Sequence, residues 1–144
     1  MVSDQPVPAR PSSGRTLGII VGDMVMFGLF VAIGRRSHSE PTTFGEIVQI
    51  AAPFALGWLA VAPWFKLFRP EVYTAPKIVL QRTAAAWTLA APLGLALRTF
   101  AWGREFKLPF AITTFLFNLV LLLAWRGLTA RKLRRQQPAV KRSA

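Results

Sequence analysis

Apolar and polar positions fall in long blocks along this chain. One apolar run extends from Leu17 to Ile33. A second covers Ile47 to Trp64, with Phe44 just before it. A third lies between Ile78 and Phe100, and a fourth between Leu108 and Trp125. None shows the strict alternation of a barrel strand, and each is longer than a strand needs to be. At about 1.5 Å per residue, such runs cross most or all of a hydrocarbon layer about 30 Å thick. Short polar segments separate them, so consecutive runs form helical hairpins. The pattern predicts an all-α polytopic membrane protein with four transmembrane helices in an up-down bundle, at about 17–34, 44–66, 77–100 and 108–127. Thr42 or Thr43 is placed to cap the second helix, and Pro76 and Pro109 suit the opening turns of the third and fourth.

The ends of the chain read differently. Residues 1–16 contain Pro6, Pro8 and Pro11 and no apolar period, which predicts a disordered cytoplasmic tail. Residues 128–144 predict a basic cytoplasmic tail. An arginine followed by an apolar run is also the order of a secretory leader. No small-x-small cleavage site precedes the polar turn, so the first helix is expected to be retained.

Composition sharpens this picture. The 144 residues suit one domain, and 53% of them are hydrophobic, with a mean hydropathy of +0.39. The net charge of +12 would suggest nucleic acid in a soluble chain. Here the bases flank apolar runs, where membrane proteins place them, so no nucleic-acid partner is expected. The chain has no Cys and one His, which argues against a thiolate or zinc centre, and no cofactor is expected.

Charge also predicts orientation. In a four-helix topology the first tail, the second connection and the C-terminus share a side, and thirteen of the eighteen bases lie there. Arg35, Arg36, Arg98, Arg104 and Lys107 lie on the other. The excess places both termini in the cytoplasm and the chain in the cytoplasmic membrane. Trp64, Trp102 and Trp125 fall at helix ends, as an aromatic belt would place them. Trp58 and Trp87 fall nearer mid-membrane, where each indole N–H is expected to use a carbonyl freed by Pro53 or Pro92.

Few residues could carry chemistry. Asp23 lies inside the first apolar run, where a carboxylate costs about 2.5–3.5 kcal/mol to insert at the centre and therefore faces a partner or a cavity. One expectation pairs it with Arg82 across the first and third helices, with Gly18 and Gly22 meeting the Ala86, Ala90, Gly94 row at close approach. The other makes it a proton or cation site. Arg35, His38 and Arg98 are expected to meet at the outer mouth of the bundle around an anion, either Glu40 or a lipid headgroup. The C-terminal bases are placed to bind anionic lipid. No Gly-x-Ser-x-Gly, Walker loop or paired histidine is present, and no catalytic role is expected.

Several of these residues also carry a resemblance. Asp23, the block from Phe30 to His38 ending in Gly34-Arg35-Arg36-Ser37-His38, Pro53-Phe54, Gly57-Trp58, Trp87, Gly94, Arg98 and Trp125-Arg126 together resemble domain-of-unknown-function family 3054. The likeness covers about residues 17–127. It implies a small integral membrane protein of bacteria or archaea without an established activity. The expected function is a structural, assembly or accessory role, with the bilayer and either a second copy or another membrane protein as partner. The alternative is a small proton- or cation-coupled transporter working as a dimer around Asp23.

Overall fold

The computed structural model describes residues 13–136. Four long helices make up the fold: α1 (Ser13–Ser37), α2 (Phe44–Val61), α3 (Pro76–Phe100) and α4 (Leu108–Arg135). A 3-10 turn, Ala62–Phe65, continues α2, and a second, Pro70–Thr74, precedes α3. Each helix packs on its neighbours in sequence, and α1 closes the ring against α4. The result is an up-down four-helix bundle. Among the described residues there is no strand.

The bundle is apolar outside as well as in its core, and the polar side chains Asp23, Thr83, Thr114, Asn118 and Arg126 are buried within it. Leu17, Val21, Val25, Leu29 and Ile33 form one exposed row along α1 at four-residue spacing. Leu108, Ile112, Leu116, Val120 and Leu128 form a similar row along α4. The opposite face of α4 buries Ala111, Thr114, Asn118, Leu122, Arg126 and Ala130. Four-residue rows hold one side of a helix, so each apolar row faces outward as lipid contact would require. α1, α2 with its 3-10 extension, and α4 are each long and apolar enough to cross a membrane. α3 is as long as α1, at 25 residues, but carries Lys77, Gln81, Arg82 and Arg98. It lies between α2 and α4 and buries the small residues Ala86, Ala90, Ala91 and Gly94.

Two helices outrun their predicted ends. α1 begins at Ser13 rather than residue 17, and α4 runs to Arg135 rather than 127. The basic segment after Trp125 is therefore helical, since Lys and Arg are good helix formers and favour the last turns. The remainder of both expected tails, 1–12 and 137–144, lies outside the described residues. α2 starts at the predicted cap. The Thr43 Oγ1 accepts from the Glu46 N–H at 3.3 Å, and Glu46 accepts from the Thr43 N–H at 2.9 Å. This reciprocal box satisfies two N–H groups that the first turn would leave open.

The close helix contacts differ from the expected ones. The Ala86, Ala90, Gly94 row meets α2, not α1. A Cβ on Gly57 would stand 2.8 Å from the Ala90 carbonyl oxygen, and one on Gly94 would stand 2.7 Å from Cδ1 of Phe54. Gly22 instead receives the Trp125 indole from α4, and nothing lies within 4 Å of a Cβ at Gly18. The reason is topological. α1 and α3 sit diagonally across the ring, so α3 spends its small residues on its neighbour. The mid-bundle cluster joins Phe27, Phe54, Trp58, Trp87 and Leu122, with the Phe27 and Trp87 ring centroids 5.5 Å apart.

Gly57→Ala should lower stability by about 1–3 kcal/mol, because the added methyl forces backbones apart. Gly18→Ala should be neutral or gain up to about 1 kcal/mol of helix propensity. Thermal unfolding of the two variants in detergent micelles checks the contrast; equal effects would contradict this packing.

Candidate functional site

The termini and the α2–α3 connection occupy one end of the bundle, here the terminal end. The α1–α2 and α3–α4 connections occupy the other, the loop end. Polar side chains gather at both.

Near the terminal end Asp23 is fully buried, and its partner is Arg126. The Arg126 Nε donates to Oδ1 of Asp23 at 3.0 Å, and its Nη2 donates to Oδ2, giving a two-pronged pair. The Trp58 Nε1 donates to the same Oδ2 at 2.9 Å. The Arg126 Nη1 donates to the Tyr73 hydroxyl at 2.6 Å and to the Leu67 carbonyl at 3.0 Å. Tyr73 in turn donates to the Leu67 carbonyl at 3.0 Å. The guanidinium lies 5.1 Å from the Trp58 ring and 5.5 Å from the Phe68 ring. The Trp125 indole N–H is buried close to the carboxylate without completing a hydrogen bond. One cluster thus ties α1, α2, α4 and the α2–α3 connection together.

Local structure delivers each partner. Lys66 adopts the left-handed conformation, with φ of 57°, and the Leu67 N–H returns to the Ala62 carbonyl. This closure ends the α2 extension and turns Leu67 inward. The 3-10 turn of Pro70–Thr74 then sets Tyr73 beneath it. Thr16 at the start of α1 donates to the Phe68 carbonyl at 3.3 Å, holding the connection against the bundle.

Arg82 does not pair with Asp23. It donates to the Phe65 carbonyl at 3.4 Å, at the end of α2. Asp23 lies ten residues into α1 and Arg126 nine residues before the end of α4. In antiparallel neighbours, these positions share a depth of about 15 Å from the terminal end. The sequence held a signal for this. Thr114, Asn118 and Arg126 are the polar members of one four-residue row, which marks the inward face of α4. Ending that helix at 127 made Arg126 look like a flank. Trp58 likewise uses the carboxylate rather than a proline-freed carbonyl. Trp87 uses the Phe115 carbonyl on α4 at 2.9 Å, one that no proline frees.

At the loop end, Arg35, His38, Glu40 and Arg98 line a recess of about 1030 Å³. Arg35 is closed by acids: its Nη1 lies 3.1 Å from Glu40 and its Nη2 lies 3.0 Å from Glu46, and it also donates to the Pro41 carbonyl. Arg98 donates to the Glu105 carbonyl at 2.9 Å, with its guanidinium 4.3 Å above the Phe110 ring. Arg104 and Lys107 also line the recess and were not singled out from the sequence. As loop residues they carry no periodic signal; only the fold brings them beside Arg98. Among the described residues no group of three or more His, Cys, Asp or Glu side chains could hold a metal ion.

Removing one member of the buried pair, by Asp23→Ala or Arg126→Ala, should cost about 3–5 kcal/mol, because the other charge is left buried alone. Arg82→Ala should cost under about 1 kcal/mol. Unfolding in detergent measures both, and the reverse ranking would restore Arg82 as the partner.

Burial pushes the Tyr73 hydroxyl up to about 12 from its ordinary 10.0, with Arg126 partly offsetting the rise. The fold thus favours the neutral phenol. That contribution is complete below about pH 10 and is lost as the pH rises from 10 to 12. Tyr73 is the single tyrosine of the chain, so tyrosinate absorbance reports it alone. The expected midpoint is near 12 in the folded protein and near 10 after denaturation; one midpoint near 10 in both would contradict the buried phenol.

Comparison with curated proteins and with solved structures finds no match. A family model described as a protein of unknown function, DUF3054, matches residues 20–129. That span begins just before Asp23 and ends just after Arg126, enclosing the buried pair and the loop-end recess. The chain belongs to the DUF3054 family.

Proposed function

We propose that this protein is a structural or accessory component of the cytoplasmic membrane, one that binds other membrane constituents and neither turns over a substrate nor couples to an ion. The observation that carries this reading is the closure of Asp23. Both of its oxygens accept from buried donors, and the principal donor, Arg126, is itself fully buried. A coupling carboxylate must exchange its proton or cation with water, and must lose one partner to take another. Asp23 is not among the residues that line the loop-end recess, nor among those of the terminal-end hollow formed by Thr16, Leu17, Ile20, Phe68 and Arg69. The transporter alternative rests on this carboxylate, and the ion pair with Arg126 supports a structural task for it.

The base count supports an orientation with both termini in the cytoplasm. The extended α4 fits it, since Arg131, Lys132, Arg134 and Arg135 lie on the helix where it would leave the bilayer. The recess at the loop end would then face outward.

Reconstitution tests this reading. Vesicles containing the full chain, given a pH gradient with or without a sodium or potassium gradient, should relax no faster than empty vesicles. Relaxation several-fold faster, abolished by Asp23→Asn, would overturn it. A C-terminal reporter active only outside the cytoplasm should stay silent; activity would reverse the orientation.

A further inference from the structure

The loop-end recess goes beyond the accessory reading and has the same chemistry whichever way the chain faces. Its wall of charge is one-sided. Arg98, Arg104 and Lys107 line it with Arg35, against a single lining carboxylate, Glu40. Arg35 is already engaged by Glu40 and Glu46. Lys107 has only Glu105, 3.9 Å away and largely exposed. Arg98 and Arg104 make no ion pair among the described residues. The start of α4 adds to the field. It opens with Lys107 in the cap position and no side-chain cap, whereas α2, starting at the same end, is closed by its own Glu46. Although Pro109 removes one donor, the remaining open N–H groups of this first turn, at Leu108 and Phe110, favour an anion.

Apart from His38 and Thr113, the rest of the recess is apolar. Phe30, Val31, Ile50 and Phe110 form its inner wall. Phe30 also borders the next hollow, because its ring centroid lies 5.9 Å from that of Phe117 with the two planes tilted by 48°. Phe117 in turn lines a second hollow, of about 340 Å³, with Leu116, Val120 and Leu121. That hollow runs along α4 on its lipid-facing side, where Leu116 and Val120 are more than half exposed. The groove begins one turn along α4 from Thr113 of the recess, on the same face of the helix, so a basic chamber and an apolar groove adjoin at the surface that meets the bilayer. A small soluble anion would use the first and leave the second empty. A neutral lipid would use the second and leave three bases unanswered.

We propose that the recess and groove together bind one anionic phospholipid. Its phosphate sits among Arg98, Arg104 and Lys107, and an acyl chain lies past Phe30 along Phe117 and Val120. The site recognises a negative headgroup joined to a hydrocarbon chain, and both parts are needed.

The test uses the full chain purified in mild detergent and native mass spectrometry. The probes are dioleoylphosphatidylglycerol and dioleoylphosphatidylcholine, which share chains and differ in headgroup charge. The wild type should retain the anionic lipid at least about tenfold better. Arg104→Gln and Lys107→Gln, both at exposed loop positions that leave the fold undisturbed, should each lower that retention about fivefold. Lys132→Gln with Arg134→Gln, at the terminal end, should leave it unchanged. Val120→Asn, a neutral polar change in the lipid-facing groove, should weaken retention of the anionic lipid, and inorganic phosphate alone should give no comparable adduct. Equal retention of the two lipids would overturn the proposal. So would a preference that survives loss of both Arg104 and Lys107, or one that disappears with the terminal-end pair. A phosphate adduct as stable as the lipid adduct would show an anion site without a chain and overturn it too.

Discussion

A buried carboxylate in a low-dielectric bundle keeps its charge only if buried donors or a positive charge answer it. Asp23 is answered by Arg126, and much of this fold can be read as what that requires. An ion pair out of water is stable only if its remaining donors and acceptors are also used. Trp58 takes the second position on one carboxylate oxygen, and Tyr73 with the Leu67 carbonyl takes the far side of the guanidinium. Those partners come from α2 and from a connection that would otherwise lie loose at the membrane surface. The left-handed turn at Lys66, which brings Leu67 inward, and the Pro70–Thr74 turn, which carries Tyr73, together supply what the guanidinium needs.

The two ends of the bundle divide their polar residues between opposite uses. Toward the terminal end, Asp23 and Arg126 cancel and are sealed from solvent. At the loop end, acids are spent on Arg35 and on the α2 cap, while Arg98, Arg104 and Lys107 remain open to a recess. Between them the helices hold together largely by shape. Gly57 and Gly94 let α2 and α3 approach, and Gly22 receives the Trp125 indole. In lipid, where apolar side chains gain little by leaving the solvent, such close packing and the buried polar contacts carry the association.

The class of this protein was legible from the chain alone. Four apolar blocks, basic flanks, and punctuation by Pro76 and Pro109 are local features, and local features survive without knowledge of neighbours. The capping box at Thr43 and Glu46 was half visible for the same reason, since its partners are three residues apart. The isolated carboxylate at Asp23 also announced that a partner or cavity must exist, because the cost of burying it is a property of the residue.

What the tertiary structure decided was which residue answers it. By the sequence Arg82 stood at a plausible depth and Arg126 looked like a flank, and depth along a helix says nothing about which helices are neighbours. The ring order sets α1 beside α4 and diagonal to α3, so Arg126 meets Asp23 and Arg82 turns to the end of α2. The same order sends the small-residue row of α3 to Gly57 rather than to Gly18. Arg104 and Lys107 joined Arg98 only through the path of a connecting loop, which has no period to read. Periodicity fixes the face of a helix, but the partner of that face is set by packing among all four helices at once.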